Sequence, residues 1–371
     1  MKENVQIAIT TLVISIVLLI HNGREPLFLF AFASIPIILF IAWKKSSLWP
    51  VALYILIVGV LGRYTQYFRQ GYMSDVLPAI QDYIGYFLSG KNVYKEIIMV
   101  QNGPAPFNYL PFALLWYLPA RLVFLDLRFM EMIVASFVPL MYFLYGKLKG
   151  TWQHLPIVAV LALSPFILDL SSDGSNDNSA VFLLLTALVL FMYAQARNKK
   201  MSAILSALVL TAFTMFKHYS AFFLIFFLPY LTKVKQFPIR IRSYVLVYGV
   251  ACLLLVIFGV GASPDGFWRS LVYIERTNFH PVYGWNIWVA LKDGWGITAS
   301  RDIMWMVRTV GTALTIGGLL MLRPWRSFQT VCLASAISML TYLVLSEWTT
   351  TAYFSFLLPM FALSLFSDGR T

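Results

Sequence analysis

Apolar runs recur along the whole chain and are separated by short polar segments. Each run is roughly 15 to 20 residues long, which suits an α-helix that crosses a bilayer and is too long and continuous for a barrel strand. We therefore predict an all-α polytopic membrane protein in a single domain, residues 1–371, with about 12 transmembrane helices. The predicted helices cover 5–20, 27–43, 48–62, 129–146, 154–169, 179–195, 202–216, 218–231, 243–262, 302–321, 328–346 and 351–366.

One further segment, residues 108–127, is apolar enough to span but contains Pro111 and Pro119 among several aromatic residues. We interpret it as a helix that lies at the outer interface or re-enters the membrane. If it crosses instead, Lys147 and Lys149 lie outside and every later loop inverts. In this alternative topology, one short later pair of helices does not cross. Both topologies are compatible with the sequence.

Composition and charge agree with a membrane location. The chain is 60% hydrophobic and 12% charged, with a mean hydropathy of +0.75, whereas soluble domains are about 25% charged. The net charge is +12, but lysine and arginine lie mainly between apolar runs, as in cytoplasmic loops, which argues against nucleic-acid binding. Both cysteines, Cys252 and Cys332, lie within apolar runs, so neither a disulfide framework nor a thiolate metal site is predicted.

The basic clusters predict which loops face the cytoplasm. These clusters are Lys44–Lys45, Lys147 with Lys149, Arg197–Lys200, Lys233–Arg242, and Arg323 with Arg326. Both termini are then inside, and we expect the chain in the plasma membrane. The first helix, residues 5–20, has no small-residue cleavage site after it, so we interpret it as a retained helix and not as a signal peptide.

The other polar residues collect on the outer face in this topology. Two long outer loops cover residues 63–127, with interfacial helices, and residues 263–301. A short acidic loop at 169–178 and a turn at 217–219 lie on the same side. No inner loop has a comparable polar group, so we expect the chemistry on the extracytoplasmic side.

Asp75 is the leading candidate for a catalytic group. It follows Ser74 at the start of a predicted amphipathic helix, directly after a transmembrane helix. An N-cap role explains these residue types, but an acid where the chain leaves the bilayer is costly unless it faces water or a site. A carboxylate there is placed to accept a proton from a hydroxyl nucleophile. Asp82 is better explained as part of a solvated helix face, and we retain it as a candidate sugar or acceptor contact.

Two other polar groups lie on the predicted outer face. The residues from Asp173 to Asn178 suit a loop and helix start, with Asp177 or Asn178 as the cap. Six consecutive polar residues also suit a polyhydroxylated ligand, with Asp173 as the better candidate contact. Lys217, followed by His218, is predicted at headgroup level, where it either anchors to lipid phosphate or holds the phosphate of a bound lipid substrate.

The loop at 263–301 contains a further group. Arg276 and His280 are about one turn apart if helical and are placed to bind phosphate or a sugar, and Trp285 and Trp288 to stack on a sugar ring. An interfacial aromatic belt with ordinary loop charges explains them equally well. The sequence has no phosphate-cradling glycine motif, no HExxH motif and no cysteine–histidine cluster, so no metal, cofactor or nucleotide site is predicted.

The order of short motifs in the first outer loop resembles that of a known superfamily. After an apolar helix come Ser74-Asp75, Tyr83 or Tyr86, Leu88-Ser89-Gly90, Val93-Tyr94, Phe107-Asn108-Tyr109-Leu110-Pro111 and Leu118-Pro119. Downstream follow Leu163-Ser164-Pro165, Thr214-Met215-Phe216-Lys217 and Leu357-Leu358-Pro359. This order is similar to that of GT-C glycosyltransferases that use polyprenyl-phosphate sugars, in particular the mannosyltransferase-like group, over about 48–235. Leu110 and His218 depart from the family pattern, which has proline at the first position and a small residue or proline at the second.

The resemblance implies a GT-C-like helical bundle with juxtamembrane helices in the first large outer loop. It also implies that Asp75 is the catalytic base, that Asp173 is an auxiliary acid near a sugar, and that Lys217 binds the donor phosphate. The reaction would be inverting sugar transfer from a polyprenyl-phosphate donor to a hydroxyl of a lipid or glycan acceptor, with membrane lipids as the other partner. The remaining candidates are His218, Arg276 and His280 for the phosphate, and Asp82, Tyr109 and Trp285 for the sugar or acceptor.

Two other functions remain as alternatives. A transporter or flippase of lipid-linked glycans would favour helical repeats and charged residues at the membrane midplane, whereas the acids here cluster at one interface. A glycan polymerase or ligase would favour a large arginine-rich outer loop late in the chain, and the loop at 263–301 holds only Arg269, Arg276 and Arg301.

Overall fold

A computed structural model of the chain describes residues 2–21, 26–45, 47–100, 103–261, 263–276 and 282–365, which are mainly helical. The helices are α1 (Lys2–His21), α2 (Pro26–Lys45), α3 (Trp49–Arg69), α4 (Val76–Leu88), α5 (Phe112–Leu122), α6 (Leu127–Leu148), α7 (Leu155–Leu163), α8 (Pro165–Asp169), α9 (Asp177–Arg197), α10 (Lys200–Thr214), α11 (Ser220–Leu231), α12 (Ile241–Val260), α13 (Pro264–Arg276), α14 (Ile287–Trp295), α15 (Arg301–Met321), α16 (Phe328–Leu345) and α17 (Phe354–Ser364). The strands are β1 (Ile97–Val100), β2 (Gly103–Pro106), β3 (Tyr283–Gly284) and β4 (Trp348–Thr349). β1 pairs antiparallel with β2, and β3 pairs parallel with β4.

Six helices in the described part of the chain are long and apolar enough to cross a membrane, namely α3, α6, α9, α12, α15 and α16. Shorter apolar helices accompany them within α1, α2, α5, α10, α11 and α17. Their backbone groups are satisfied within each helix, as a bilayer requires. The chain is an all-α membrane protein, as the apolar pattern predicted.

One predicted helix is interrupted. The range 154–169 forms two helices, α7 and α8, because the chain bends at Ser164 (φ −60°, ψ 125°). Pro165 follows, and a residue before proline is sterically driven out of the helical region. The fully buried guanidinium of Arg63 donates to the carbonyl oxygens of Leu161 (2.7 Å) and Ala162 (2.9 Å) at this break. A buried arginine thus replaces helical N–H donors near the interruption.

Replacing Arg63 by methionine should lower the free energy of unfolding by about 3 kcal/mol, because carbonyl groups at the break would lose their donor. Arg69→Met, at the exposed end of the same helix, is the matched control. Thermal unfolding of the purified protein in detergent measures the difference. Equal midpoints for the two variants would show that the guanidinium is not needed at the break.

The segment 108–127 contains only the 11-residue helix α5. Such a helix is about 16 Å long, roughly half the thickness of a bilayer core. The N–H of Phe112 donates to the carbonyl oxygen of Met215 (2.9 Å), which ties the start of α5 to the turn between α10 and α11. Because α17, one of the predicted crossings, has the same length, helix length does not decide between an interfacial and a crossing α5.

The basic loops gather at one end of the bundle. The ammonium of Lys147 lies 3.8 Å from the ring centroid of Trp152 and 5.7 Å from that of Trp49. Phe328 contacts both Tyr145 and Tyr230, so the last turns of α6 and α11 meet the start of α16. Phe191, in the second half of α9, contacts Phe227 and Phe237, so α9 ends on the same side. Since α9 has 21 residues, its start, with the polar loop before it, is about 30 Å away at the opposite end.

Candidate functional site

Two loops are joined by backbone hydrogen bonds at the end of the bundle opposite the basic loops. The N–H groups of Met73 and Ser74 both donate to the carbonyl oxygen of Asp173, at 2.7 and 2.8 Å. The N–H of Leu77 donates to the carbonyl oxygen of Gly174 at 2.9 Å. The segment before α4 is therefore attached to the loop before α9, and this brings two acidic residues that are far apart in sequence to one place.

Gly174 is required where these loops meet. Its φ is +96°, and an added Cβ would lie 2.7 Å from the carbonyl oxygen of Ser74. Gly150 offers a matched comparison, since its φ is +73° but an added Cβ would contact nothing within 4 Å.

Gly174→Ala should therefore destabilise the protein more than Gly150→Ala, by more than about 1 kcal/mol, because only the first adds a steric clash to the cost of positive φ. Thermal midpoints of the two variants in the same detergent measure the difference. Equal losses would contradict the close approach of the two loops.

A second set of contacts holds the segment before Asp75. The Asp126 carboxylate accepts hydrogen bonds from the hydroxyl of Tyr72 (2.8 Å) and that of Tyr67 (3.1 Å), and it pairs with Arg128 (3.0 Å). The Arg128 guanidinium also stacks on the ring of Tyr72 and donates to the carbonyl oxygen of Gln70. The backbone that leads to Asp75 is thus held on two sides.

Asp75 is the N-cap residue of α4, but its carboxylate makes no capping hydrogen bond. The Ser74 hydroxyl instead lies 3.4 Å from the N–H of Val76. Asp75 lines two chambers that share several of their lining residues. Asp75 thus occupies the N-cap position and also lines a cavity. The structural explanation and the functional explanation of this residue are therefore compatible.

The larger chamber has a volume of about 520 Å³. Its polar lining includes Asp75, Asp173, Asp177 and Lys217, and its aromatic lining includes Tyr109, Tyr219, Trp285 and Tyr353. Trp285 is 69% exposed at this chamber. Apolar ring faces beside hydrogen-bonding groups are the surface that pyranose sugars contact in proteins.

Lys217 is held in a buried ion pair. Its ammonium donates to Asp177 Oδ1 at 2.8 Å, and the hydroxyl of Tyr219 donates to the same oxygen at 2.9 Å. Both members of the pair are less than 10% exposed. A nearby carboxylate, Glu131, accepts a hydrogen bond from the N–H of Ser179 (3.2 Å) in the first turn of α9, which helps to fix the position of Asp177 at the start of that helix.

The second chamber, of about 180 Å³, shares Asp75, Tyr109 and His218 with the first. Its charged lining consists of Asp75, Arg301 and Arg308 of α15, and Glu347, which follows α16. Its apolar lining residues are Val76, Ala79, Val100, Ala105 and Pro106. This chamber therefore combines two arginines with an apolar lining.

Burial changes the proton affinity of two residues at the larger chamber. Desolvation raises the pKa of Asp173 to about 6, against the lowering effect of the Ser175 N–H, which donates to its Oδ1 at 2.8 Å. Desolvation, followed by the positive charges of Lys217 and Arg308, lowers the pKa of His218 below its usual range. At neutral pH we therefore expect an ionised Asp173 and an uncharged His218.

The raised pKa of Asp173 predicts a pH-dependent stability. The folded state keeps this proton up to about pH 6, whereas the unfolded state loses it near the ordinary value of 3.8, so stability is lost as the pH rises through that interval. Asp173→Asn removes this titration, and its unfolding midpoint should rise relative to wild type between about pH 4 and 6 and then level off. A difference that stays constant from pH 4 to 7 would contradict the raised pKa.

The structure brings most of the predicted site residues together. Six of the predicted site residues line the larger chamber, namely Asp75, Tyr109, Asp173, Lys217, His218 and Trp285. The side chain of Arg276 and the whole of His280 lie outside the described residues. The catalytic, phosphate-binding and sugar-binding roles assigned to these side chains stay predictions.

Two predicted ligand contacts lie elsewhere. Asp82 is exposed and lines neither chamber, because it lies about 100° round α4 from the buried Tyr83 and seven residues, or about 10 Å, beyond Asp75. Trp288 is buried, and its indole N–H donates to the carbonyl oxygen of Leu345 (2.8 Å). It therefore packs α14 against α16 and lines neither chamber.

Sequence reasoning missed several charged residues. Asp177 was assigned to helix capping, whereas it is the partner of Lys217. Arg308 and Glu347 form a buried ion pair, with Nη1 and Oε2 3.3 Å apart. Arg308 lies within a predicted apolar span, and a charged residue in such a span indicates a functional or paired side chain. Glu131 lies within another predicted span, so the sequence could have identified both residues as candidates.

Among the described residues, no three His, Cys, Asp or Glu side chains are grouped so that they could hold a metal ion. A comparison with models of known protein families gives no match, and a comparison with curated proteins gives none either.

Proposed function

We propose that the protein is a membrane glycosyltransferase that moves a sugar from a polyprenyl-phosphate donor to an acceptor hydroxyl. The observation that supports it most is the convergence of Asp75, Asp173 and Lys217 on one chamber. These residues come from three separated parts of the chain, and they are the residues to which the GT-C resemblance gives chemical roles. The aromatic lining of the same chamber supports a sugar as the ligand.

We also propose a GT-C-like topology of twelve crossings with the site on the extracytoplasmic face of the plasma membrane. Support comes from the six long and the shorter apolar helices. The basic loops gather at one end of the bundle and the chambers at the other. By the positive-inside rule, the basic end is cytoplasmic.

In the proposed reaction, the Asp75 carboxylate accepts the proton of the acceptor hydroxyl as the oxygen attacks the anomeric carbon. The bond from that carbon to the phosphate oxygen breaks, a glycosidic bond forms, and polyprenyl phosphate leaves with the electron pair. Attack from the face opposite the phosphate inverts the anomeric configuration. Cationic side chains stabilise the charge that develops on the leaving phosphate.

A flippase or transporter is the second candidate, because Arg63, Glu131 and Arg308 lie within long apolar helices. Each of them is seven or fewer residues from the end of its helix nearest the chambers, or at most about 10 Å. Charges near one end support an outer site more than a path through the midplane. A glycan polymerase or ligase would use the same outer chambers with a larger acceptor.

Mass spectrometry of lipid-linked sugars and envelope glycans in a deletion strain tests the proposed function. We expect loss of one glycosylated product, accumulation of its polyprenyl-phosphate sugar donor, and recovery of both when the wild-type gene is restored. An unchanged set of glycans and donors would overturn the proposal.

A further inference from the structure

The two chambers differ in charge, and this difference indicates how a lipid-linked sugar is oriented. The charged residues that line the larger chamber are three carboxylic acids and one lysine, Asp75, Asp173, Asp177 and Lys217. Those that line the smaller chamber are two arginines and two acids, Arg301, Arg308, Asp75 and Glu347. A phosphate would meet net negative charge in the larger chamber and a balanced, arginine-containing surface in the smaller one.

The arginines of the smaller chamber suit a phosphate. They lie seven residues apart, or about two turns, on one face of α15. The guanidinium of Arg308 is buried, pairs with Glu347 at 3.3 Å and lies 5.2 Å from the ring centroid of Tyr342. A planar guanidinium held in this way is pre-organised to bind phosphate oxygens in pairs.

Lys217 is less available for this task. Its ammonium is held by Asp177 at 2.8 Å in a buried pair whose carboxylate also accepts from Tyr219. Contact between Lys217 and a phosphate would place a second anion beside Asp177 at the same buried position, and the other charged residues of that chamber are acids, which do not compensate it. At the Arg308–Glu347 pair, the second arginine, Arg301, supplies the compensating charge.

The apolar lining of the smaller chamber suits hydrocarbon. It comes from α4 and from the β1–β2 hairpin, and it includes Val76, Val100 and Ala105. The outer face of the hairpin exposes Ile97 (53%) and Met99 (74%), because side chains alternate along a strand. A hairpin that is apolar on both faces is suited to lie against lipid, beside a chamber that binds a lipid chain.

We propose that the smaller chamber binds the prenyl phosphate part of the donor, with Arg308 and Arg301 as the phosphate ligands, and that the larger chamber holds the sugar. This inference rests on the proposed function and deepens it. Asp75, which lines both chambers, then lies beside the bond between sugar and phosphate. In this assignment the two arginines bind the phosphate, in place of Lys217, to which the resemblance gives that role. Lys217 instead stabilises the sugar chamber through its ion pair with Asp177.

Binding of farnesyl phosphate to the purified full-length protein tests this assignment, with farnesol and inorganic phosphate as comparison ligands. We expect wild type to bind farnesyl phosphate, and Arg301→Gln and the paired Arg308→Gln/Glu347→Gln variant each to weaken its affinity at least tenfold. The paired variant avoids leaving Glu347 buried without its partner. Farnesol affinity should not change in either variant, and Arg326→Gln, at the basic end, should match wild type for both ligands.

Three results would overturn the assignment. They are no binding of farnesyl phosphate to wild type, unchanged affinity in both arginine variants, or an equal loss of farnesol affinity. If Lys217→Gln/Asp177→Asn alone loses farnesyl phosphate binding, the phosphate lies in the larger chamber. The proposed function fails separately: arginine-dependent binding without any sugar transfer refutes the enzyme, whereas sugar transfer with unchanged binding in the variants refutes only the subsite.

Discussion

Replacing Asp75 by asparagine should reduce sugar transfer by a factor of about 100 to 10,000, the range that removal of a general base produces. The variant should fold normally, because asparagine has nearly the same size and shape as aspartate and the backbone bond from the Ala79 N–H to the carbonyl oxygen of residue 75 is retained. Restoration of the missing glycan in a deletion strain, measured by mass spectrometry, reports the loss.

Asp82→Asn is the matched control for this experiment. It changes the same chemical group on the same helix, but Asp82 is exposed and lines neither chamber. It should restore the glycan as well as wild type does. A loss of function in both variants, or in neither, would remove the support for Asp75 as the proton acceptor.

The buried pair of Lys217 and Asp177 gives the largest expected effect on stability. Lys217→Met leaves the Asp177 carboxylate buried beside the Tyr219 hydroxyl, which donates to it at 2.9 Å. Removal of one member of a buried pair costs about 3–5 kcal/mol. Asp177→Asn should cost a similar amount, because it leaves the ammonium without its counter-charge. Thermal unfolding in detergent measures both losses.

The double variant Lys217→Met/Asp177→Asn separates charge from packing. We expect it to recover most of the stability that Lys217→Met loses, because no unpaired charge remains, and the non-additivity measures the coupling between the two residues. Strictly additive losses would contradict a coupled ion pair. Sugar transfer should stay impaired in the double variant if the pair also orders the sugar chamber.

Helical organisation followed directly from the apolar pattern. A run of apolar residues that is long enough to span a bilayer has few alternatives in lipid, so the class and most helix positions could be predicted from sequence. The interruption at Ser164 was less visible, although Pro165 is a local signal for it. The hydrogen bonds from Arg63 to the carbonyl groups at this break depend on contacts between α3 and α7, which no local sequence pattern indicates.

The candidate site was predicted in part. Asp75, Asp173 and Lys217 could be identified because a charged side chain beside an apolar span is unfavourable unless it is solvated, paired or part of a site. Their convergence depends on backbone bonds between the segment at 73–77 and the loop at 173–174, which sequence alone does not contain. The role of Asp177 as an ion-pair partner was missed because an acid at a helix start is also a good cap. Arg308 and Glu347 were missed because their pairing joins α15 to the segment after α16.

The most direct measurement of the central claim uses purified protein in liposomes with a polyprenyl-phosphate donor that carries a labelled sugar. We predict that wild type joins the label to an acceptor hydroxyl, releases polyprenyl phosphate and inverts the anomeric configuration, as read by NMR of the product. Asp75→Asn should do so at least about 100-fold more slowly. Movement of the intact donor across the bilayer without cleavage of its sugar–phosphate bond would contradict this account and identify a flippase.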